Sequence, residues 1–334
     1  MEEYIDRQQL KSEIIQTLLI GKSVAIYAPQ FFGKSVFLEQ IRDDLSSSKI
    51  VIFLKFEFIF SLDDFFLKLK NEMRTVLNVD FESKRADSLE RLEGIFKALL
   101  YEAKSRNKQI FVLIDDFDEI EKIQSTNKQE LNSVLNSVFG NQRSVIFCLN
   151  VNSPFWVDMF ENKKSILFDF ANVFTLPRLQ DQEIAKFIKD EFKESDLEIS
   201  EASIKLIIEN TNNMPYYVGS VCREIILNKH EKIDDKAIMS AVDEVYHQNK
   251  YIFMLQMRAI KGRKYISQIL LKIAKGENPY TLIYTEENLV KSNLFFLLSS
   301  LEKENMILKI KKAKEKPIFL IYDPFFKRYI LENL

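Results

Sequence analysis

From Val24 to Leu38 the chain reads V-A-I-Y-A-P-Q-F-F-G-K-S-V-F-L. A short apolar strand runs into a tight loop, and Gly33-Lys34-Ser35 opens an amphipathic helix. That order suits a phosphate-binding loop. The residues Ala28, Pro29, Gln30, Phe31, Phe32, Gly33, Lys34, Ser35 and Val36 would enclose an anion. Backbone N–H groups and the positive end of the new helix form the cradle. Lys34 would reach the β- and γ-phosphates, and the Ser35 hydroxyl would complete the shell of a Mg²⁺ ion. The motif departs from its usual form at Ala28, where a glycine is expected, and glycine alone tolerates φ > 0 at no cost. The plainer reading is an ordinary strand–turn–helix with a surface lysine. A second element decides against it.

That element is Ile110-Phe111-Val112-Leu113-Ile114-Asp115-Asp116. A uniformly apolar strand is one covered on both faces. Its terminal carboxylate, Asp115, falls at the carboxyl edge of the sheet, where ligands of open α/β folds gather, and can hold Mg²⁺ directly or through water. Asp116 stands where many ATPases place a glutamate that orients the attacking water. Asp118 and Glu119 are near enough to be considered for that role, the plainer reading being a surface acidic cluster. One strand, Lys49–Phe56, lies in the chain between the loop strand and the Asp115 strand, which points to the inserted-strand class of P-loop ATPases. At the end of a further strand, Asn150 is the candidate to hydrogen-bond the γ-phosphate or the water, with Asn152 in reserve.

Composition sets the bounds. The chain has 334 residues, of which 46% are apolar, enough for two or three packed domains. Cys148 and Cys222 lie in separate apolar stretches and read as buried reduced thiols. The acidic, polar start M-E-E-Y-I-D-R is unlike a signal peptide, and no run approaches the ~20 apolar residues of a membrane span. A soluble cytoplasmic protein is expected. The net charge of −2 hides a split: residues 251–334 carry 15 Lys and Arg against 8 Asp and Glu. A basic tail with its own partner follows, duplex DNA being the first candidate.

Along the chain, helices are expected at Gln8–Leu19, Lys34–Leu45, Leu62–Leu77 and Ser88–Ser105, with a polar helical region at Lys128–Phe139. Strands are expected at Val24–Tyr27, Lys49–Phe56, Ile110–Ile114, Val145–Leu149 and Val173–Leu176. Helices separating strands argue for a parallel sheet. Then come amphipathic helices at Asp181–Glu191, Glu201–Glu209, Tyr216–Leu227 and Asp235–Gln248. In the tail, helices at Lys264–Ala274, Glu286–Val290 and Leu294–Glu304 precede a hairpin of Ile307–Ile310 and Ile318–Ile321. That sequence of elements looks like a winged helix. Its lysines Lys309, Lys311, Lys312, Lys314 and Lys316 could meet phosphates. The apolar helix Asn293–Asn305 offers few side chains to read bases, and protein partners or self-association stay open. Trp156 reads as core, and His230 and His247 as surface residues.

The motifs together resemble the archaeal-type ATPases of the STAND and AAA+ groupings, relatives of the origin-recognition ATPases. The matching stretches are Y-I-D-R-Q-Q-L at 4–10, A-P-Q-F-F-G-K-S at 28–35, F-V-L-I-D-D-F-D-E-I at 111–120, N-M-P-Y-Y at 213–217 and D-P-F-F at 323–326. The resemblance implies an ASCE/AAA+-type P-loop core over residues 1–178, a helical lid over 179–250 and a winged helix over 251–334. It implies ATP or ADP with Mg²⁺ as ligands, Tyr4, Ile5 and Arg7 near the adenine, and Pro215 approaching the base from the lid. Asn213 stands where the family carries a glycine, and Asp116 replaces the usual glutamate, so tight binding with slow turnover is expected. Arg143 and Arg178 are the candidates for an arginine finger.

Overall fold

The computed structural model describes residues 7–83, 85, 87–122, 144–228, 233–260, 262–286, 289–310 and 317–334. The expected Lys128–Phe139 helix, Tyr4, Ile5, Arg143, His230 and four of the five tail lysines lie outside the described residues. The chain divides into two compact units, with the boundary between Pro177 and Arg178.

The first unit is a three-layer α/β sandwich. Its strands are β1 (Ser23–Tyr27), β2 (Ile50–Lys55), β3 (Ile110–Asp115), β4 (Val145–Val151) and β5 (Ala171–Thr175). They form one sheet in the order β2-β3-β4-β1-β5, every pair parallel. In the sheet it is β4 that separates the loop strand β1 from the Asp115 strand β3, while β2, which lies between them in the chain, stands at the edge beside β3. Every residue of β3 and β4 is buried, whereas β2 and β5 at the edges are partly open.

Period-2 alternation sorts the side chains. Ala25, Ile52, Leu54, Val112, Ile114, Phe147 and Leu149 face one layer, made by α3 (Leu62–Leu77) and α4 (Ser88–Ser105). The opposite face packs against α1 (Gln8–Leu19) and α2 (Lys34–Ser46). Asp115 continues the parity of Phe111 and Leu113, and Asn150 that of Ile146 and Cys148. Both therefore fall on the face that carries the helix following the phosphate loop. Their adjacency follows from the register, which pairs Ile114 with Leu149.

A helix absent from the sequence reading, α5, spans Pro154–Glu161. Ser153 caps it by accepting the Phe155 N–H, Pro154 supplies the first turn, and Trp156 and Phe160 bury the i, i+4 face. Trp156 packs edge-on against Phe117 with ring centroids 4.7 Å apart.

In the second unit, α6 (Asp181–Glu194), α7 (Glu201–Thr211), α8 (Pro215–Leu227) and α9 (Asp235–Ile260) form a helical cluster. α9 runs on well past the expected end at Gln248. α10 (Ile266–Ala274) follows, then a short α11 (Leu282–Thr285). The expected helix at Glu286–Val290 is not formed: Glu286, Leu289 and Val290 are non-helical, and the turn lies just before them, entered through the Asn278–Pro279 cap. α12 (Lys291–Lys303) and the antiparallel ribbon of β6 (Leu308–Ile310) and β7 (Ile318–Leu320) stand as anticipated.

A final helix, α13 (Pro324–Asn333), was also not foreseen. It packs on α8 and α9 through aromatic rings: Tyr217 with Phe325 at 4.3 Å, Phe253 with Phe326 at 5.8 Å, and the Arg328 guanidinium 4.2 Å above Tyr246. Cys148 and Cys222 are buried free thiols, the first in the sheet, the second in α8. Among the described residues no helix is long and apolar enough to cross a membrane.

Candidate functional site

The loop between β1 and α2 takes its shape from two left-handed residues, Phe31 at φ +69° and Gly33 at φ +77°. Gly33 is the N-cap of α2, which leaves Lys34, Ser35 and Val36 as its first turn, with no acidic residue there to offset the helix's positive end. Alternation of left- and right-handed residues turns successive N–H groups to one side, the geometry of an anion nest. Ala28 is not a defect in this loop. It is fully buried, keeps a negative φ, and donates its N–H to Val151 O at 3.3 Å. Phe31 and Gly33 supply the left-handed turns instead, so a glycine at 28 is not needed.

Lys34 is 6% exposed, and its Nζ donates to Ala28 O at 2.7 Å and Pro29 O at 2.8 Å. Burial lowers its pKa to about 8, against the opposing pull of Asp118, Asp116 and Asp115. Arg7, also buried, adds a second positive charge that Lys34 feels. Lys34, Arg7 and the acids at the end of β3 therefore share one electrostatic neighbourhood, at the carboxyl edge of the sheet.

Asp115 is buried, and its Oδ1 accepts from Asn150 Nδ2 at 2.8 Å and from the Asp116 N–H at 3.1 Å. Asn150 is fully buried, and its own Oδ1 accepts no hydrogen bond among the described residues. A buried acceptor left open is costly unless a donor comes to it, and water on a bound cation is such a donor. Asp115 and Asn150 bring a carboxylate and an amide oxygen together, and Ser35 stands with its hydroxyl in the first turn of α2; hard oxygens of these kinds are what Mg²⁺ prefers. Asp116 follows in a left-handed conformation, φ +53°. Burial, then the neighbouring Asp115 charge, raises its pKa to about 6.

The acidic cluster read as surface is not one. Asp118 sits in the first turn of a 3-10 segment, Phe117–Lys122, and pins the loop after β4. Its Oδ2 accepts from the Asn152 N–H at 2.6 Å and its Oδ1 from the Ser153 N–H at 2.8 Å; burial pushes its pKa up. Asn152 is held in the same grip through its amide, at 3.3 Å. An acid three residues beyond a strand carries no sequence signal for such a role. Replacing Asp118 with alanine strands two backbone donors, so the protein is expected to lose about 1–3 kcal/mol of stability. Thermal unfolding would show this as a melting temperature lower by roughly 3–10 °C.

Pro215 lies in the second unit as the first residue of α8. Asn213, where a glycine was expected, has φ +56°, and its Nδ2 donates to Leu179 O at 3.1 Å and to Asp181 Oδ1 at 2.5 Å. Asparagine tolerates this conformation better than most residues, and here it adds two bonds that glycine lacks. Arg178 Nη1 donates to Asn212 Oδ1 at 2.8 Å within the same unit.

No protein-family model matches the sequence, and no curated protein matches it. Solved structures do. A Walker-type ATPase of Pyrococcus abyssi is 16% identical and superposes with a TM-score of 0.77, covering 98% of this chain and 96% of its own. The ORC2 protein of Aeropyrum pernix, solved in ADPNP–ADP complexes, is 12% identical with a TM-score of 0.60, covering 97% of this chain and 91% of its own. The ORC1 protein of the same organism, solved with DNA, is 11% identical with a TM-score of 0.54, covering 100% and 95%. At these identities the likeness establishes the fold: a P-loop ATPase fold shared with archaeal Walker-type and origin-recognition proteins over nearly the whole chain.

Proposed function

We propose that this chain binds ATP with Mg²⁺ at the loop of residues 28–36 and hydrolyses it slowly, as a cytoplasmic nucleotide switch of the STAND/AAA+ type. The observation that carries the reading is the buried Asp115–Asn150 pair beside Lys34 on one face of the sheet, with an open oxygen on Asn150. Lys34 holds the β- and γ-phosphates. Ser35 and Asp115 hold the metal, which supplies charge neutralisation on the phosphates when bound. Asp116 orients and deprotonates water, and Asn150 accepts from water through its open Oδ1 or gives the second N–H of its Nδ2 to the γ-phosphate. The loop N–H groups from Gly33 to Val36 complete the cradle. That the ORC2 protein, which shares this fold, was solved in ADPNP–ADP complexes supports an adenine nucleotide as the ligand.

Residues 179–250 act as a helical lid and 251–334 as a winged-helix tail. The tail's net positive charge, and the DNA complex of the ORC1 structure, support duplex DNA as its partner. A second reading has the tail bind protein. It is favoured by the middle of α12, where Phe295 and Phe296 are 56% and 72% exposed and offer no donors to phosphates or base edges.

Calorimetric titration of the whole chain with Mg·ATP, followed by phosphate release with and without duplex DNA, tests the proposal. Saturable binding with slow release is expected. Absence of saturable ATP binding would sink it. DNA binding that falls steeply with salt favours the first reading of the tail, and salt-insensitive indifference to DNA favours the second.

A further inference from the structure

The β6–β7 ribbon of the second unit has two unlike faces. Its register pairs Leu308 with Leu320, Lys309 with Phe319 and Ile310 with Ile318. Directly paired residues share a face, and faces alternate along each strand. Phe319 is buried and meets the Tyr280 ring at 6.0 Å, so the Lys309–Phe319 face is the inner one. On that same face the Lys309 ammonium lies 5.4 Å from the Phe295 ring of α12. The other face consists of Leu308, Ile310, Ile318 and Leu320. All four are aliphatic, and Leu308, Ile318 and Leu320 are 48%, 42% and 40% exposed.

A solvated face of an antiparallel sheet ordinarily carries polar residues. Here no outward position of the paired strands is polar, and among the described residues the sheet has two strands only. An apolar sheet face is stabilised when another element lies on it. Shape and charge say which. Each strand is three residues long, too short an edge to favour adding a third. A helix about 10 Å across covers two strands about 4.8 Å apart. Residues 251–334 carry 15 Lys and Arg against 8 Asp and Glu, and the sequence joining the two strands, 311–316, reads K-K-A-K-E-K. Anionic flanks on the incoming helix complement that charge, whereas a second copy of the tail brings like charges together. Four aliphatic side chains give nothing to a phosphate or a base edge. Lipid surfaces are met by amphipathic helices whose apolar face sinks among the headgroups; the flat of a ribbon fixed from behind by Phe319 is a packing surface instead.

We propose that Leu308, Ile310, Ile318 and Leu320 form a docking face for an acidic amphipathic helix of another protein. The proposal rests on the reading in which the tail takes a protein partner, and it moves the contact from α12 to the outer face of the ribbon. The partner's apolar stripe, residues at i, i+3, i+4 and i+7, lies over the pairs Leu308–Leu320 and Ile310–Ile318, and its carboxylates meet the positive field of the tail. The aliphatic contacts supply the affinity. Charge decides which helix is taken.

Fluorescence anisotropy with the intact chain and two labelled synthetic helical peptides tests this. One peptide carries leucines at i, i+3, i+4 and i+7 flanked by glutamates, and its twin carries the same leucines flanked by lysines. The glutamate peptide should bind saturably, at least about tenfold more tightly than its twin. Leu308→Gln and Leu320→Gln together should weaken it by about tenfold or more. Both replace exposed side chains, so the melting temperature should hold within a few degrees. Phe295→Ser, beside Lys309 on the inner face, should leave the affinity within about twofold. Binding that is lost in Phe295→Ser and kept in the double leucine variant leaves a protein partner on α12 and overturns the ribbon face. No saturable binding at millimolar peptide overturns it too, as does a double leucine variant that weakens binding to duplex DNA or to phosphatidylserine vesicles in place of the peptide. Nucleotide binding enters none of these outcomes, so its failure and this one are separable.

Discussion

Replacing Lys34 with alanine lowers the affinity for Mg·ATP by about 100-fold or more. A hydrogen bond to a charged group contributes about 1.5–3 kcal/mol, Lys34 would make such bonds to two phosphates, and each 1.4 kcal/mol is tenfold. Titration calorimetry measures it directly. An alanine variant that binds as the unmodified protein does refutes the phosphate-loop assignment.

The same lysine makes a second, less usual expectation. Its pKa of about 8 lies below the ordinary 10.5 because burial disfavours the charged form. Between about pH 8 and 10.5 the unfolded chain therefore holds a proton that the folded chain has released, so stability rises with pH across that window. Affinity for the triphosphate runs the other way. It weakens as pH climbs through 8, because the anion needs the protonated amine. Lys34→Met removes both slopes; at neutral pH the relieved burial of charge is set against the Ala28 and Pro29 carbonyls that lose their donor, so its melting temperature is expected to stay within a few degrees of the unmodified protein's.

How much of this was legible beforehand depends on what each element needed from its neighbours. The boundaries of α1, α3 and α4 follow from local pattern alone: apolar residues at helical spacing, with a Ser61–Asp64 capping box and an Asp87 cap at the starts. The uniformly apolar β3 announced a central strand, and its last residue a site at the sheet edge. The two helices that went unread, α5 and α13, both begin with a capping residue and a proline, Ser153-Pro154 and Asp323-Pro324. Their start signals were present, but each is short and rich in aromatic rings. Trp156, Phe160, Phe325 and Phe326 read as core or as motif before they read as one face of a helix. Asp118 was illegible for a different reason. Its partners are the backbone N–H groups of residues 152 and 153, some 34 positions away, and only the pairing of β3 with β4 brings them near. The same pairing makes Asp115 and Asn150 neighbours, a contact that the sequence placed at one edge without saying that the two side chains would bond.

Asp116→Asn is expected to cut ATP turnover by about 10²–10⁴-fold, the usual worth of a general base, while Mg·ATP affinity stays within a few fold. The pKa of about 6 in the chain without nucleotide sets the acid limb of kcat/KM. Below it the carboxyl is protonated and cannot take a proton from water, so turnover falls about tenfold per pH unit on the acid side and levels off above. Asp116→Asn flattens that limb. The backbone at 116 suits an aspartate. At φ +53° the residue is left-handed, a conformation that aspartate and asparagine tolerate and longer side chains adopt less readily. Under the proposed reading, the shorter acid eases the turn and reaches one methylene less far than a glutamate would. Asp116→Glu therefore pulls two ways. It should lower the melting temperature by a few degrees, through the strained backbone, and raise turnover, through the longer reach. A glutamate variant that is both less stable and faster would show that slow hydrolysis is set by the geometry of this one turn. Unchanged turnover in Asp116→Asn would instead mark the chain as a nucleotide-regulated scaffold with no general base at 116.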